Sequence, residues 1–213
     1  MKPATPRGRG PGAVRIIGGR WRGTRLPVAE LDGLRPTSDR IRETLFNWLQ
    51  PVLPGARVLD LFAGSGALGL EAMSRGAREA LLVERDPGAA EALRASVERL
   101  KAGGQATVVR ADALSLLRMP LHGRFDVVFL DPPFAADCSA QVLSLLPPWL
   151  AEEAWLYLEG PRQASPPPAE GWIPHREGGT REVQYALFRR ARPAPAAAAT
   201  LAAEPGPDGT ARQ

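Results

Sequence analysis

The chain has 213 residues, which is enough for one domain with a sizeable core and short appendages. Its single cysteine, Cys138, excludes an internal disulfide and a cysteine metal cluster, and its two histidines are far apart, so we expect no metal. No apolar run approaches the roughly 18 residues that span a membrane, and the basic N-terminus lacks a signal-peptide core. We therefore expect a cytoplasmic protein without a membrane partner.

Basic charge is concentrated at one end of the chain. Residues 1–42 carry ten Lys or Arg against three acids, whereas residues 43–213 carry seventeen against twenty. An arginine-rich genome would explain why 25 of the 27 basic residues are Arg, but it does not explain the uneven distribution. The asymmetry favours contact between the N-terminal part and a nucleic acid.

The first 50 residues are predicted to precede the main domain. Residues 1–12 are rich in Pro, Gly and Arg and indicate a disordered basic arm. In residues 13–50, "AVRIIGGRWRGTRLPV" predicts a β-hairpin around Gly18 and Gly19. "SDRIRETLFNWLQ" then predicts a helix that Ser38 or Asp39 caps and that ends before Pro51.

Strand and helix patterns alternate through residues 51–190. The predicted strands are "ARVLDLF", "REALLVE", "QATVVR", "RFDVVFL" and "AWLYLE", with helical patterns between them and two further strands, expected to be antiparallel, near the end. Because the central strands are continuously apolar, we expect an α/β fold with a mostly parallel, doubly wound sheet. Residues 191–213 are Ala- and Pro-rich and are predicted to form a disordered tail.

A glycine loop follows the first central strand. In "VLDLFAGSGALGLEA", Gly64, Gly66 and Gly69 fit G-x-G-x-x-G, a spacing that is also typical of dinucleotide sites. Asp60 at the strand end is poorly placed for a pyrophosphate but suits a cationic ligand such as S-adenosylmethionine. Gly64 and Gly66 would let the backbone approach that ligand without a Cβ clash.

Two more acids end neighbouring strands. Glu84 ends the second strand, where a carboxylate can accept hydrogen bonds from both ribose hydroxyls of a nucleoside, although NAD sites use an acid there too. Asp112, followed by Ala113, is placed either to accept a hydrogen bond from an adenine amino group or to cap a helix. The sequence leaves these two roles of Asp112 open.

The fourth strand ends in "FDVVFLDPPF", with Asp131, Pro132, Pro133 and Phe134 at the same edge of the sheet. Prolines alone would merely end a strand. However, the Asp131 carboxylate and a proline carbonyl can both accept N–H bonds from an exocyclic base amine, which would stabilise the charge that develops when the nitrogen is methylated. Phe134 offers a face on which an unpaired base can stack. The motif predicts an amine-methylating site.

Together these stretches resemble a known family. "RIIGGRWRG", "GLRPTSDRIRETLFNWL", "DLFAGSGALGLEA", "VERD" and "FLDPPF" are similar, in that order, to stretches of the bacterial 16S rRNA guanine-N2 methyltransferases, the RsmD family. The resemblance spans roughly residues 13–190. It implies a Rossmann-like methyltransferase fold with S-adenosylmethionine as the cofactor, bound by Asp60, Phe62, Gly64, Ser65, Gly66, Glu84, Asp112 and Ala113. It also implies N2-methylation of one guanosine in 16S rRNA of the assembling small subunit by an enzyme that we expect to be a monomer.

The predicted RNA contacts lie in the basic part of the chain. Its candidate phosphate-binding residues are Arg15, Arg20, Arg22, Arg25, Arg35 and Arg40. In "LRPTSDRIRE", Arg42 could contact phosphates together with Arg35 and Arg40. Alternatively, Thr37 and Asp39 could line the ligand pocket, or the segment could be a capped helix with solvated charges. Three other functions remain as alternatives: a DNA adenine or cytosine methyltransferase, a non-catalytic RNA-binding assembly factor, and, least supported, an NAD oxidoreductase.

Overall fold

The computed structural model of the protein describes residues 12–28, 38–133, 138–162 and 171–191. The strands and helices assigned within those ranges follow in chain order. They are β1 (Ala13–Arg15), β2 (Arg25–Pro27), α1 (Asp39–Leu49), β3 (Arg57–Asp60), α2 (Gly69–Ser74), β4 (Glu79–Glu84), α3 (Pro87–Arg99), β5 (Ala106–Arg110), α4 (Ala113–Leu117), β6 (Phe125–Leu130), α5 (Ser139–Leu145), β7 (Leu150–Pro161), β8 (Trp172–Gly179) and β9 (Val183–Arg190).

Seven strands form one sheet in the order β5-β4-β3-β6-β7-β9-β8. Strands β3 to β7 pair in parallel with one another, whereas β9 pairs antiparallel with both β7 and β8. The prediction of a Rossmann-like, mostly parallel sheet with antiparallel C-terminal strands is confirmed. The chain extends the sheet from β3 to β5 in one direction and then returns to place β6 on the other side of β3, as doubly wound folds do.

Both faces of the sheet are buried, which explains the continuous apolar pattern of the central strands. On one face, residues of α1, α2 and α3 pack against alternate residues of β3, β4 and β6 in a single apolar cluster. On the other face, α4 and α5 pack against the intervening residues, with the buried Trp149 at the centre. The face covered by α1 to α3 is the one that carries the functional side chains.

The N-terminal hairpin differs from its prediction in detail. Strands β1 and β2 pair antiparallel, with Ala13 opposite Pro27, but the connection between them is long and contains a 3-10 turn at Gly19–Trp21. The reason lies in α2: the N–H groups of Ile17 and Gly18 donate to the carboxylate of Glu71 at 2.7 and 2.8 Å. The bonds to Glu71 hold the Gly18–Gly19 region against α2 and leave no tight turn there.

Helix α1 begins as predicted, with the Ser38 side chain accepting a hydrogen bond from the Ile41 N–H at 3.4 Å. Arg42 on this helix is fully buried and donates to the Arg15 carbonyl at 2.8 Å and to the Asp39 carboxylate at 2.6 Å. Its other guanidinium nitrogen lies 3.7 Å from the buried Glu71 carboxylate. Arg42 and Glu71 therefore connect the hairpin, α1 and α2, and the suggestion that Arg42 contacts phosphates is wrong because its side chain is buried.

Candidate active site

A cavity of about 1120 Å³ opens at the carboxyl ends of the parallel strands. It lies where the strand order reverses between β3 and β6, which is where open α/β sheets bind their ligands. Ten of the predicted site residues line it. They are Asp60, Phe62, Gly64, Ser65, Glu84, Asp112, Ala113, Asp131, Pro132 and Pro133.

The strand register arranges four carboxylates on one face of the sheet. Asp60 lies in a row with Leu82 of β4, Phe129 of β6 and Tyr157 of β7. Glu84, Asp131 and Glu159 each come two residues later along those three strands, and side chains two residues apart share a face. Asp60 therefore forms the floor of the cavity, and the other three carboxylates lie above it.

Asp60 is almost completely buried, with 2% of its surface exposed. Burial raises the pKa of its carboxyl group to about 7, although hydrogen bonds from the backbone N–H groups of Gly69 and Phe62 act in the opposite direction. The Gly69 N–H donates to Asp60 Oδ2 at 2.9 Å. A carboxyl group with this pKa is poised to become charged when a cation binds above it.

Glu84 shapes the glycine loop as well as facing the cavity. One of its carboxylate oxygens accepts the Gly64 N–H at 2.9 Å, and the other accepts the Asp86 N–H at 2.7 Å. Each carboxylate oxygen can accept a second hydrogen bond, so these contacts leave room for a ligand's hydroxyl groups. Glu84 thus holds the end of β4 and the loop after β3 in one arrangement.

The three glycines of the loop have different roles. Gly64 lines the cavity, as expected for a close approach to a ligand. Gly66 does not line it: its φ is +80°, and a Cβ there would lie 2.6 Å from Leu93 Cδ1 and 2.7 Å from Leu70 Cδ1. A Cβ on Gly69 would collide with Leu82 of β4. Gly66 and Gly69 are therefore needed for the packing of the loop and of α2 on the sheet.

Asp112 performs the capping role that the sequence left open. Its side chain accepts the Ser115 N–H at 2.9 Å and begins α4. Asp112 and Ala113 also line the cavity beyond Glu84, so a ligand contact remains available to the exposed Asp112 carboxylate.

The Asp131-Pro132-Pro133 turn continues β6 at the cavity. Asp131 is half-buried, Pro132 is buried and Pro133 is exposed. Fixed φ angles at two successive prolines make this turn stiff, so its acceptors need little reorganisation when a substrate binds. Phe134 lies outside the described residues.

Two parts of the cavity wall were not predicted from the sequence. Glu159, in the segment predicted only as a strand, is 5% exposed and accepts a hydrogen bond from the Tyr157 hydroxyl at 2.5 Å. Burial and the nearby Glu159 and Asp131 carboxylates raise the pKa of the Tyr157 phenol well above its usual range, so this hydroxyl stays a donor. Residues 180–183, the turn between β8 and β9, also line the cavity.

The candidate RNA-binding arginines are spread over the molecule. Arg15 is exposed and lies 3.8 Å from Asp39 at the cavity end of α1, where Arg40 is also exposed. Arg20 donates to Gln105, just before β5, and stacks on Trp21. The Arg25 carbonyl accepts from Arg99 at the end of α3. Because Gln105 and Arg99 are at the amino edge of the sheet, Arg20 and Arg25 lie away from the cavity.

The other residues predicted to contact RNA or to line the pocket differ in where they lie. Arg22 is exposed in the hairpin, and Arg35 and Thr37 fall outside the described residues. Asp39 pairs with Arg42 and Arg15, while Ser38 and Ile41 are the residues of α1 that line the cavity. Within the described ranges, no group of His, Cys, Asp and Glu side chains could hold a metal ion, and no helix is long and apolar enough to cross a membrane.

Comparisons with known proteins agree with this geometry. Residues 14–189 match the family described as Conserved hypothetical protein 95. The ribosomal RNA small subunit methyltransferase D of Escherichia coli strain K12 is 46% identical over 188 residues, which cover 87% of this chain and 94% of that protein.

Solved structures extend the likeness to the fold. One from Escherichia coli is 47% identical, covers 84% of this chain and 99% of its own, and has a TM-score of 0.76. A methyltransferase from Geobacter sulfurreducens is 14% identical, covers 73% of this chain and 80% of its own, and has a TM-score of 0.58, a likeness of fold alone. From the extent and identity of these matches, the chain belongs to the ribosomal RNA small subunit methyltransferase D family, RsmD.

Proposed function

We propose that this protein transfers a methyl group from S-adenosylmethionine to the exocyclic N2 amine of one guanosine in 16S rRNA during assembly of the small ribosomal subunit. The observation that carries the proposal is the stiff Asp131-Pro132-Pro133 turn beside a cavity floored by the buried Asp60 carboxyl group. The first supplies acceptors for an amine, and the second suits a cationic methyl donor.

The residues of the cavity fit S-adenosylmethionine better than a dinucleotide. Asp60 and Glu84 would hold the donor from below and at its ribose, with Phe62, Gly64, Ser65, Asp112 and Ala113 around them. A pyrophosphate would face four carboxylates in the same cavity, which is electrostatically unfavourable. When bound, S-adenosylmethionine supplies a methyl group activated by a positively charged sulfur.

The proline turn would act on the acceptor. The Asp131 carboxylate and the Pro132 carbonyl would each accept a hydrogen bond from one N–H group of the target amine. These bonds would favour a pyramidal nitrogen, whose lone pair is less delocalised into the base ring and can attack the methyl group. As the bond between the nitrogen and the methyl carbon forms, the carbon–sulfur bond would break and its electron pair would stay on the sulfur, so that neutral S-adenosylhomocysteine leaves. The nitrogen would become positively charged, and the Asp131 carboxylate would stabilise that charge until a proton passes from the nitrogen to water. We assign to Phe134 the stacking of the base, as the motif predicts.

The choice of substrate rests on the family and on charge. The Escherichia coli relative is named as acting on ribosomal RNA of the small subunit. Arg15 and Arg40, exposed at the cavity end of α1, are placed to hold phosphates while a base enters. Arg22 and Arg35 remain candidates for the same contact. The proposal includes a monomeric enzyme that acts in the cytoplasm, where small subunits assemble.

The proposal is tested by mass mapping of modified nucleosides in small-subunit rRNA from cells with and without the gene. We expect one N2-methylguanosine to disappear on deletion and to return when the wild-type gene is restored. Loss of a methylated adenine or cytosine, in rRNA or in DNA, would replace the guanine assignment. An unchanged nucleoside profile would favour a non-catalytic assembly factor.

A further inference from the structure

Glu159 is a buried carboxylate beside the proline turn for which the reaction proposed above has no use. It lies next to Asp131 across the β6–β7 pair, because Leu130 is in register with Leu158 and each acid is the next residue along its strand. Both acids line the same cavity on the same face of the sheet. A base amine held by Asp131 would therefore have the Glu159 carboxylate beside it.

The Glu159 carboxylate is held in place from below. Tyr157, two residues earlier on the same face, donates its hydroxyl hydrogen to Glu159 Oε2 at 2.5 Å. Tyr157 is itself fully buried and packs edge-on against Phe129, with their ring centroids 6.3 Å apart. A carboxylate has about four acceptor positions, and the Tyr157 hydroxyl uses one of them.

The three bases that carry an exocyclic amine differ at the ring atom beside it. Guanine has an N1–H donor next to its N2 amine, whereas adenine and cytosine have a nitrogen lone pair next to theirs. A carboxylate beside the amine acceptor would bond the guanine N1–H and would repel the lone pair of the other two bases. The chemistry of the Glu159 position thus distinguishes guanine from both alternatives.

From this geometry we infer that Glu159 selects guanine by accepting its N1–H, while Asp131 and Pro132 accept from the adjacent N2 amine, and that Tyr157 positions the Glu159 carboxylate. The inference rests on the proposed function, since it concerns the base that enters the same cavity. It assigns the choice of base to β7, and the methyl transfer to β6.

The test replaces the target guanosine with 2-aminopurine riboside, which keeps the 2-amine but has a lone pair at N1. Small subunits are assembled on ligated 16S rRNA that carries either nucleoside at the position mapped by the experiment above. Single-turnover methylation is measured at pH 8 with wild-type protein and with Glu159→Gln. We expect wild type to prefer guanosine by roughly tenfold to a hundredfold, the usual worth of a hydrogen bond to a charged group.

The Glu159→Gln amide can donate to a lone pair, so its preference for guanosine should fall by at least about tenfold and approach equality. Glu153→Gln, the same change at the exposed far end of β7, should keep the wild-type preference. An unchanged preference in Glu159→Gln would overturn the inference.

A second variant guards against misfolding of the first. If Glu159→Gln no longer binds S-adenosylmethionine, Tyr157→Phe, which removes only the hydroxyl that holds Glu159, carries the test. We expect its preference for guanosine to fall several-fold, and an unchanged preference would overturn the inference. The wild-type rate on guanosine distinguishes failure of the proposed function from failure of the inference alone. If wild type methylates neither nucleoside, the proposed function has failed and the inference fails with it.

Discussion

At the scale of single residues, Asp60 has an unusual environment for a carboxyl group. It is buried at the end of β3, and two backbone N–H groups offset part of the loss of water around it. With its pKa raised to about 7, Asp60 is partly neutral at neutral pH when no ligand is bound. A cationic donor bound above Asp60 favours the charged form and lowers this pKa.

Donor affinity should therefore depend on pH. Since binding favours ionised Asp60, affinity for S-adenosylmethionine should rise by up to about tenfold per pH unit as pH approaches 7 and level off above it. Calorimetry from pH 5.5 to 8.5 measures this. Asp60→Asn lacks the carboxyl group, whereas the ionisable groups of the ligand affect binding to both proteins equally. This variant should bind S-adenosylmethionine more weakly, and its affinity should depend less on pH. Parallel profiles for the two proteins would contradict a role for Asp60.

Asp131 should be needed for transfer and not for donor binding, because the proposed reaction places it at the target amine and not at the donor. We expect Asp131→Ala to lose a hundredfold or more in single-turnover rate, since removing one preorganised group at a charged transition state costs roughly 3 to 4 kcal/mol. Calorimetry with S-adenosylmethionine should give nearly wild-type affinity. Glu153→Ala on the neighbouring strand is the matched control. A wild-type rate in Asp131→Ala would mean that the proline turn is only structural.

At the scale of secondary-structure elements, the Arg42–Glu71 pair determines how α1 sits at the cavity. Glu71 accepts hydrogen bonds from the hairpin backbone and from Arg75, and its carboxylate lies beside Arg42 of α1. Both charged side chains are fully buried. Ser38, which caps α1, and Ile41 of α1 line the cavity. The contact between Arg42 and Glu71 therefore also positions one wall of the site.

Removing one partner of this pair should be costly, since it strands the other. We expect Glu71→Ala to lower the free energy of unfolding by about 3 to 5 kcal/mol, as is usual when a buried ion pair is broken. Urea denaturation followed by circular dichroism measures the change. Glu43→Ala, at an exposed position on α1, should cost much less. Similar losses in both variants would show that the buried contacts of Glu71 contribute little.

At the scale of the whole molecule, the basic N-terminal part covers two edges of the sheet. Arg15 and Arg40 lie near the cavity, whereas Arg20 is bound to Gln105 at the opposite edge. Among the described residues of this part, the positive charge is therefore divided between two surfaces. We expect the arginines on the cavity side to contact the RNA around the target base.

The salt dependence of small-subunit binding should separate these two groups. Arg15→Gln and Arg40→Gln should each reduce the log–log slope by about 0.7 to 0.9, the amount expected for one lost phosphate contact. Arg20→Gln should leave the slope unchanged. Filter binding across a salt series measures all three. A flatter slope for Arg20→Gln, with no change for the other two, would place the RNA at the amino edge of the sheet.

Much of this architecture could be predicted because it is encoded locally. The apolar run Phe125–Leu130 and its abrupt end at Asp131 specify a buried strand and a stiff turn without reference to the rest of the chain. Glu159 could not be found in this way, since its place beside Asp131 depends on β7 pairing with β6 in one particular register. The role of Glu71 could not be predicted for the same reason, since its carboxylate accepts the hairpin N–H groups only when the hairpin packs on α2.

The position of β9 has a consequence for the order in which the protein becomes functional. This strand comes last among the described elements, yet it inserts between β7 and β8, and residues 180–183 at its start line the cavity. Domains are synthesised from the N-terminus, so the cavity residues between 60 and 113 emerge well before residues 180–183. A nascent chain that ends before β9 therefore lacks part of the cavity wall. If the proposed function holds, methylation should begin only after β9 has been made.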